Sequence, residues 1–205
     1  MSAAQPLTGR EAACRAVTAA LTGDGFVVEA LAELRKTGRL EPREAAFARE
    51  IALGAVRHAV TIDHVLAALA RYDRRRIKPA LRALLYTAAY QIIWMERVPP
   101  FAAVDQAVCL AHDIAKRHAA GMVNALLRRV ADGIATRRVP WQPNDPRLIR
   151  TDWANACAFE QPVFPTPGDS NESAVFLAAA TGERESRFRE LLDHFGCDGA
   201  EQFAK

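Results

Sequence analysis

Pairs of cysteines are missing from this sequence. Cys14, Cys109, Cys157 and Cys197 stand far apart, with no CxxC and no tight Cys/His spacing, so neither a zinc site nor a disulfide framework is suggested. Long apolar runs are missing as well: no stretch approaches the ~18 consecutive apolar residues that a membrane span needs. The opening "MSAAQPLTGREAAC" has no apolar core of a signal peptide. Histidines at metal-ligand spacing are absent too. His58 and His64 are six apart, as are His112 and His118, whereas a helical metal pair needs i, i+4. Together these gaps describe a cytoplasmic protein of a reducing compartment, with no membrane segment, no metal and no cofactor.

What is present is apolar residues and an uneven charge. Half of the 205 residues are apolar, enough for one core, or for one domain with an appendage. The net charge of +3 hides an asymmetry. Residues 1–150 carry 23 Lys+Arg against 14 Asp+Glu, a balance of +9, and residues 151–205 carry 4 against 10, a balance of −6. A basic body suits a polyanion, because cations that neutralise phosphates release condensed counterions. Solvated helix faces would give the same count, so charge alone leaves both readings open.

Helical periodicity dominates the first 138 residues. Ile62, Val65, Leu66 and Leu69 fall at i, i+3, i+4, i+7. Leu81, Leu84, Leu85, Ala88 and Ile92 repeat the stripe, as do Val104, Ala107, Val108, Ala111 and Ala115, and then Val123, Leu126, Leu127, Val130 and Ile134. Each stripe places one apolar face against a core. Thr8 is a candidate cap for a first helix, with Glu11 as its reciprocal partner, and "TGDG" at 22–25 ends that helix. Pro42, Pro79 and Pro100 suit the first turns of later helices. The pattern predicts an all-α bundle of about seven helices over residues 8–138. From Val139 the chain turns rich in Pro, Asn, Asp and Ser. Residues 139–171 therefore read as a Pro-rich linker, with a short helical piece around "TDWANACAF". Residues 172–205 read as an acidic helical tail with an apolar stripe at Phe188, Leu191, Leu192 and Phe195.

The densest positive charge is "DRRRIKPALR", with Arg74, Arg75, Arg76, Lys78 and Arg82 inside residues 73–82. Pro79 opens a helix there, and the positive end of that helix dipole adds to the cationic field. Such a terminus attracts anions. A charged loop that keeps a helix pair in solution, part-neutralised by Asp73, accounts for the same residues. Arg128 and Arg129 lie late in another helix, where cations favour the negative end of the dipole. Asn124 reads as a structural hydrogen-bonding residue. Trp141 and Trp153 either stack on bases or pin the tail to the bundle, and pinning is the preferred reading.

The run "RRIKPALRALLYTAAYQIIWMERVPPFAAVDQAVCLAHDIAKRHAAGMVNALLRRV" resembles the second half of the NusB-like RNA-binding domain. It is most similar to the form found at the N-terminus of the rRNA cytosine-5 methyltransferases called RsmB, Sun or Fmu. "REAACRAVTAAL" resembles the family's first helix, and "EAAFAREIALGAVRHAVTIDHVLAAL" resembles its D-x-x-F-A-x-x-L-x-x-G-x-x-R region followed by the I/L-D-x-x-L helix. The resemblance covers roughly residues 8–138. It implies a NusB-like fold of two packed three-helix groups, RNA binding, ribosomal RNA above all, and a role in rRNA modification or transcription antitermination. A small-subunit ribosomal protein is an implied partner. Arg10 and Arg15 match the first helix, whose basic residues contact RNA in the antitermination factors.

The expected RNA contacts are Arg10, Arg15, Arg74, Arg75, Arg76 and Lys78. Arg57, Arg82, Arg128 and Arg129 either join that surface or serve in packing and capping. The chain departs from the methyltransferases in having no Gly-rich turn for S-adenosylmethionine and no cysteine beside Pro or Thr. No catalytic residue is therefore expected, and the four thiols read as inert. The alternatives are the N-terminal RNA-binding part of a methyltransferase and a module that docks a ribosomal or transcription protein. The oligomeric state stays open.

Overall fold

The computed structural model describes residues 6–70, 72–114, 117–166, 170–181 and 185–190. Its helices are α1 (Gly9–Thr22), α2 (Val27–Lys36), α3 (Pro42–Arg57), α4 (Ala59–Leu69), α5 (Pro79–Trp94), α6 (Pro100–Ile114), α7 (Arg117–Asp132) and α8 (Ser170–Thr181), with one 3₁₀ turn at Arg74–Arg76. The chain is mostly helical, and seven of these helices lie before residue 138, as the periodicity predicts. Contacts divide it into two units, Met1–Arg57 with Asp73–Arg128, and His58–Tyr72 with Arg129–Lys205.

In the first unit α1 packs on α2, α3 and α5, and α5 also packs on α3 and α6. The punctuation works as the sequence suggests. Thr8 Oγ1 accepts from the Glu11 N–H at 3.2 Å, and Gly23 closes α1 at φ 83°, a conformation that only glycine adopts cheaply. The Glu11 carboxylate does not return to Thr8. It pairs with Arg15, one turn on, at 2.7 Å. Pro42, Pro79 and Pro100 each occupy the first position of a helix. Helix α5 is buried on every side over Ala83–Ile93, which explains a segment apolar nearly all round rather than along one stripe. Its buried Gln91 is satisfied twice: Nε2 donates to the Thr87 carbonyl at 2.9 Å and Oε1 accepts from Arg10 Nε at 2.7 Å.

The second unit contains a sheet that the helical reading lacks. Strands β1 (Ile134–Pro140), β2 (Leu148–Arg150) and β3 (Asn155–Phe159) form an antiparallel sheet in the order β1-β3-β2. The stretch expected to be linker thus carries two strands and the end of a third, and β1 begins at Ile134, inside the region expected to be helical. The piece around "TDWANACAF" is a turn followed by β3, not a helix. The reason is local. Asp152 Oδ1 accepts from the Ala154 and Asn155 N–H groups, both at 2.8 Å, so an aspartate-built turn reverses the chain before helix can start. Strand β3, central and free of proline, pairs Ile149 with Cys157 on one side and Val139 with Ala156 on the other. Pro140 is tolerated because β1 lies at the sheet edge.

Helix α8 packs on α4, where Thr61 Oγ1 donates to the Ala179 carbonyl at 2.6 Å, and Phe176 meets Phe164 edge to face at 6.0 Å. Of the expected tail stripe, Phe188 is buried in a helical stretch over 185–190; Leu191, Leu192 and Phe195 lie outside the described residues. Trp153 does not pin anything, since it is 85% exposed. Among the described residues no single helix is long and apolar enough to cross a membrane.

Candidate nucleic-acid interface

The 3₁₀ turn Arg74–Arg76 leads directly into α5. Asp73 caps the turn, its Oδ1 accepting from the Arg75 N–H at 3.0 Å, and it approaches Arg76 Nε at 3.4 Å. Both partners of that pair are well exposed, so it holds little energy. All three arginines and Lys78 are exposed. A 3₁₀ helix has three residues per turn, so successive side chains fan out about 120° apart. Three consecutive arginines therefore cannot all face one flat partner. Lys78 precedes Pro79, which has no N–H to satisfy, and the first-turn amides of the 16-residue α5 add their partial positive charge. Arg82, one turn further, is half-buried, and its Nε is shielded from solvent without a hydrogen-bond partner.

Arg15 reaches the same end of α5. A cavity of about 300 Å3 is lined by Arg15, Glu11, Cys14 and Thr18 of α1, Ala80 of α5, and Leu110, Asp113 and Ile114 of α6. Ala80 is only two residues from Lys78. The structure thus gathers Arg15, Arg74, Arg75, Arg76, Lys78 and Arg82 around one helix start, with Glu11 and Asp113 tempering the charge beside Arg15.

Three expected residues make bonds within the chain. Arg10 is half-buried, bonded to Gln91 and stacked over the Phe47 ring at 5.1 Å. Desolvation lowers its pKa, opposed by the Glu44 carboxylate. Its guanidinium ties α1 to α5 and α3, a role that a solvent-facing cation would not have. Arg128 Nε donates to Asn124 Oδ1 at 3.0 Å, one turn back on α7. Arg129 Nη1 donates to the Leu69 carbonyl at 3.3 Å, satisfying the C-terminal end of α4 within the second unit. Asn124 therefore acts as the structural hydrogen-bonding residue it reads as, by orienting an arginine.

Among the described residues, no group of three His, Cys, Asp or Glu side chains could hold a metal ion. Burial pushes the thiols of Cys14 and Cys157 up to about 12, far from a nucleophile's range, while Cys109 is exposed on α6. Alkylation of the folded protein with iodoacetamide near neutral pH is expected to label Cys109 and spare Cys14 and Cys157 until denaturant is added. Peptide mass spectrometry checks this, and early labelling of Cys14 or Cys157 would contradict the burial described.

The family model described as "NusB family" matches residues 8–132. Curated relatives include the transcription antitermination protein NusB of Bradyrhizobium sp. (strain ORS 278), 42% identical over 92 residues, which span 44% of this chain and 55% of that protein. The same-named protein of Nitrobacter winogradskyi is 36% identical over 95 residues, 45% of this chain and 59% of that protein. A Bacillus subtilis protein titled "Probable ribosomal RNA small subunit methyltransferase B" is 25% identical over 134 residues, 61% of this chain and 30% of that protein. The chain thus spans little more than half the length of the antitermination proteins it matches. The solved structure of T. maritima NusB superposes with a TM-score of 0.54 at 21% identity, covering 60% of this chain and 88% of that one, which supports the helical fold.

Proposed function

Because this chain belongs to the NusB family, with residues 8–132 matching the family model, we propose that its helical domain binds RNA, ribosomal RNA above all, at the start of α5. The observation that carries this reading is the convergence of Arg15, the exposed arginines 74–76, Lys78 and Arg82 on one helix N-terminus. Phosphates supply both the charge and the acceptors that this end of the helix favours. The contacts are mostly to backbone, so affinity falls steeply with salt while sequence preference stays modest.

The domain works without catalysis of its own, in transcription antitermination or in rRNA modification, with a small-subunit ribosomal protein as a candidate partner. The match to the B. subtilis protein extends over more of this chain than those to the antitermination proteins do, which favours service beside an rRNA methyltransferase.

Fluorescence anisotropy with labelled 16S rRNA fragments tests the binding reading. The full chain is expected to bind at low ionic strength, with log K falling linearly in log salt at a slope of about −0.7 for each phosphate contacted. Absence of binding at low salt, or binding indifferent to salt, would overturn it.

A further inference from the structure

The sheet of the second unit carries an aromatic and basic cluster that lies outside the family match and that the reading above does not use. Trp141, just past β1, donates its backbone N–H to the Ala154 carbonyl at 2.8 Å, which fixes it beside the β2–β3 turn. Arg150, the last residue of β2, lays its guanidinium over the Trp141 ring at 5.9 Å and donates from Nε to the Asp152 carbonyl at 3.0 Å. At the tip of that turn Trp153 is 85% exposed.

Exposing an indole forgoes one of the largest apolar burials a side chain offers, and the turn does not require it. Asp152 and Asn155 build the turn by themselves, through the bonds to the Ala154 and Asn155 amides and a further bond from Asn155 Nδ2 to Asp152 Oδ1 at 3.0 Å. The one carboxylate in the cluster is thereby aimed at backbone and amide donors, which hold its pKa below the usual range, and Arg138 adds to that effect from β1. The cluster thus holds two indoles and two guanidiniums around a single carboxylate.

We infer that Trp141 and Trp153, flanked by Arg138 and Arg150, form a second nucleic-acid site that stacks the unpaired bases of single-stranded RNA. The inference rests on the RNA-binding reading above but uses none of its residues. Its logic is the pairing of ring faces for bases with cations for the phosphates between them, which is how unpaired strands are held. A duplex keeps its bases inside its own stack and cannot use an indole at a turn tip. A docking patch for protein would have an apolar core of several side chains, whereas along the chain Trp153 lies among Arg150, Thr151, Asp152, Ala154 and Asn155.

The test is a titration of the full chain with an unstructured oligouridylate, followed by intrinsic tryptophan fluorescence and by anisotropy of labelled RNA. Trp94, the remaining tryptophan, stacks on Tyr90 in the helical unit and serves as background. Quenching is expected on binding. Trp153→Ala should lose most of it together with roughly tenfold in affinity, and Trp153→Phe should keep much of the affinity, since any aromatic face stacks a base. Unchanged far-UV circular dichroism checks the fold of both variants. No quenching, or wild-type affinity in Trp153→Ala, overturns the inference and leaves the face to another class of partner. The variant Arg74→Ala/Arg75→Ala/Arg76→Ala separates the two sites. If the α5 reading fails, this variant binds structured rRNA as the wild type does while the Trp153 effect on oligouridylate persists; if the sheet reading fails, the reverse is seen.

Discussion

Gly54→Ala is expected to destabilise the first unit by about 3 kcal/mol, near the top of the range for overpacking a well-filled core. In a chain of 205 residues that corresponds to a fall in Tm of about 6–12 °C. Gly54 lies on α3 where it crosses α5, and a Cβ there would sit inside contact distance of three carbons of the Tyr90 ring. The ring cannot withdraw. Its hydroxyl donates to Glu50 Oε1 at 2.8 Å, its face stacks on Trp94 with centroids 5.6 Å apart, and the residue is only 8% exposed. Burial and the Glu50 carboxylate both raise the Tyr90 pKa, so the phenol stays a hydrogen-bond donor throughout the neutral range. A Tyr90→Ala background distinguishes a steric cause from any other. There the new methyl meets open space, and alanine's better helix propensity should make Gly54→Ala stabilising by up to about 1 kcal/mol. Thermal and urea unfolding of the four proteins gives the cycle. A cost below about 0.5 kcal/mol in the wild-type background would mean that α3 and α5 do not approach as described.

That crossing shows how much of the fold the sequence displays. The stripe of α5 and the proline at its first position place the start of the helix, because both follow from local geometry. A family resemblance supplies the family of the bundle. Neither shows that Gly54 faces Tyr90, or that Arg10 reaches Gln91 across 81 residues, since such pairings arise only once helices pack. Arg10 is the instructive case: a cation in a helix resembling an RNA-contacting one turns out half-buried against Phe47, and burial is a long-range property. The strands are hidden for a different reason. Segment β3 is five residues long with Ala156 and Cys157 both buried, and so short an apolar run has no period that separates strand from helix. Trp153 was legible as an aromatic in polar company, but its exposure depends on the turn that Asp152 builds.

At the candidate RNA surface, replacing Arg74, Arg75 and Arg76 together with alanine is expected to weaken rRNA binding about 25-fold near 0.1 M salt, with a salt slope shallower by about 1.4. Both figures follow from the geometry of the turn. Three residues on one 3₁₀ turn point about 120° apart, so a backbone lying across it engages two of them at once. Two lost phosphate contacts at about 0.7 each change the slope by 1.4, and a tenfold dilution from the 1 M reference converts that slope into the 25-fold loss. Three simultaneous contacts would give a slope change near 2.1 and a loss above 100-fold, so the measurement also reports how the chain presents the arginines. Stability should move by no more than about 0.5 kcal/mol, because the side chains are exposed and the Asp73–Arg76 pair is open to solvent. Capping of the turn survives the change, since Asp73 accepts from a backbone N–H and not from a guanidinium. Equal affinity and slope in the variant and the wild type, with the fold intact, would remove these arginines from the interface and leave Arg15, Lys78 and Arg82 to carry the charge.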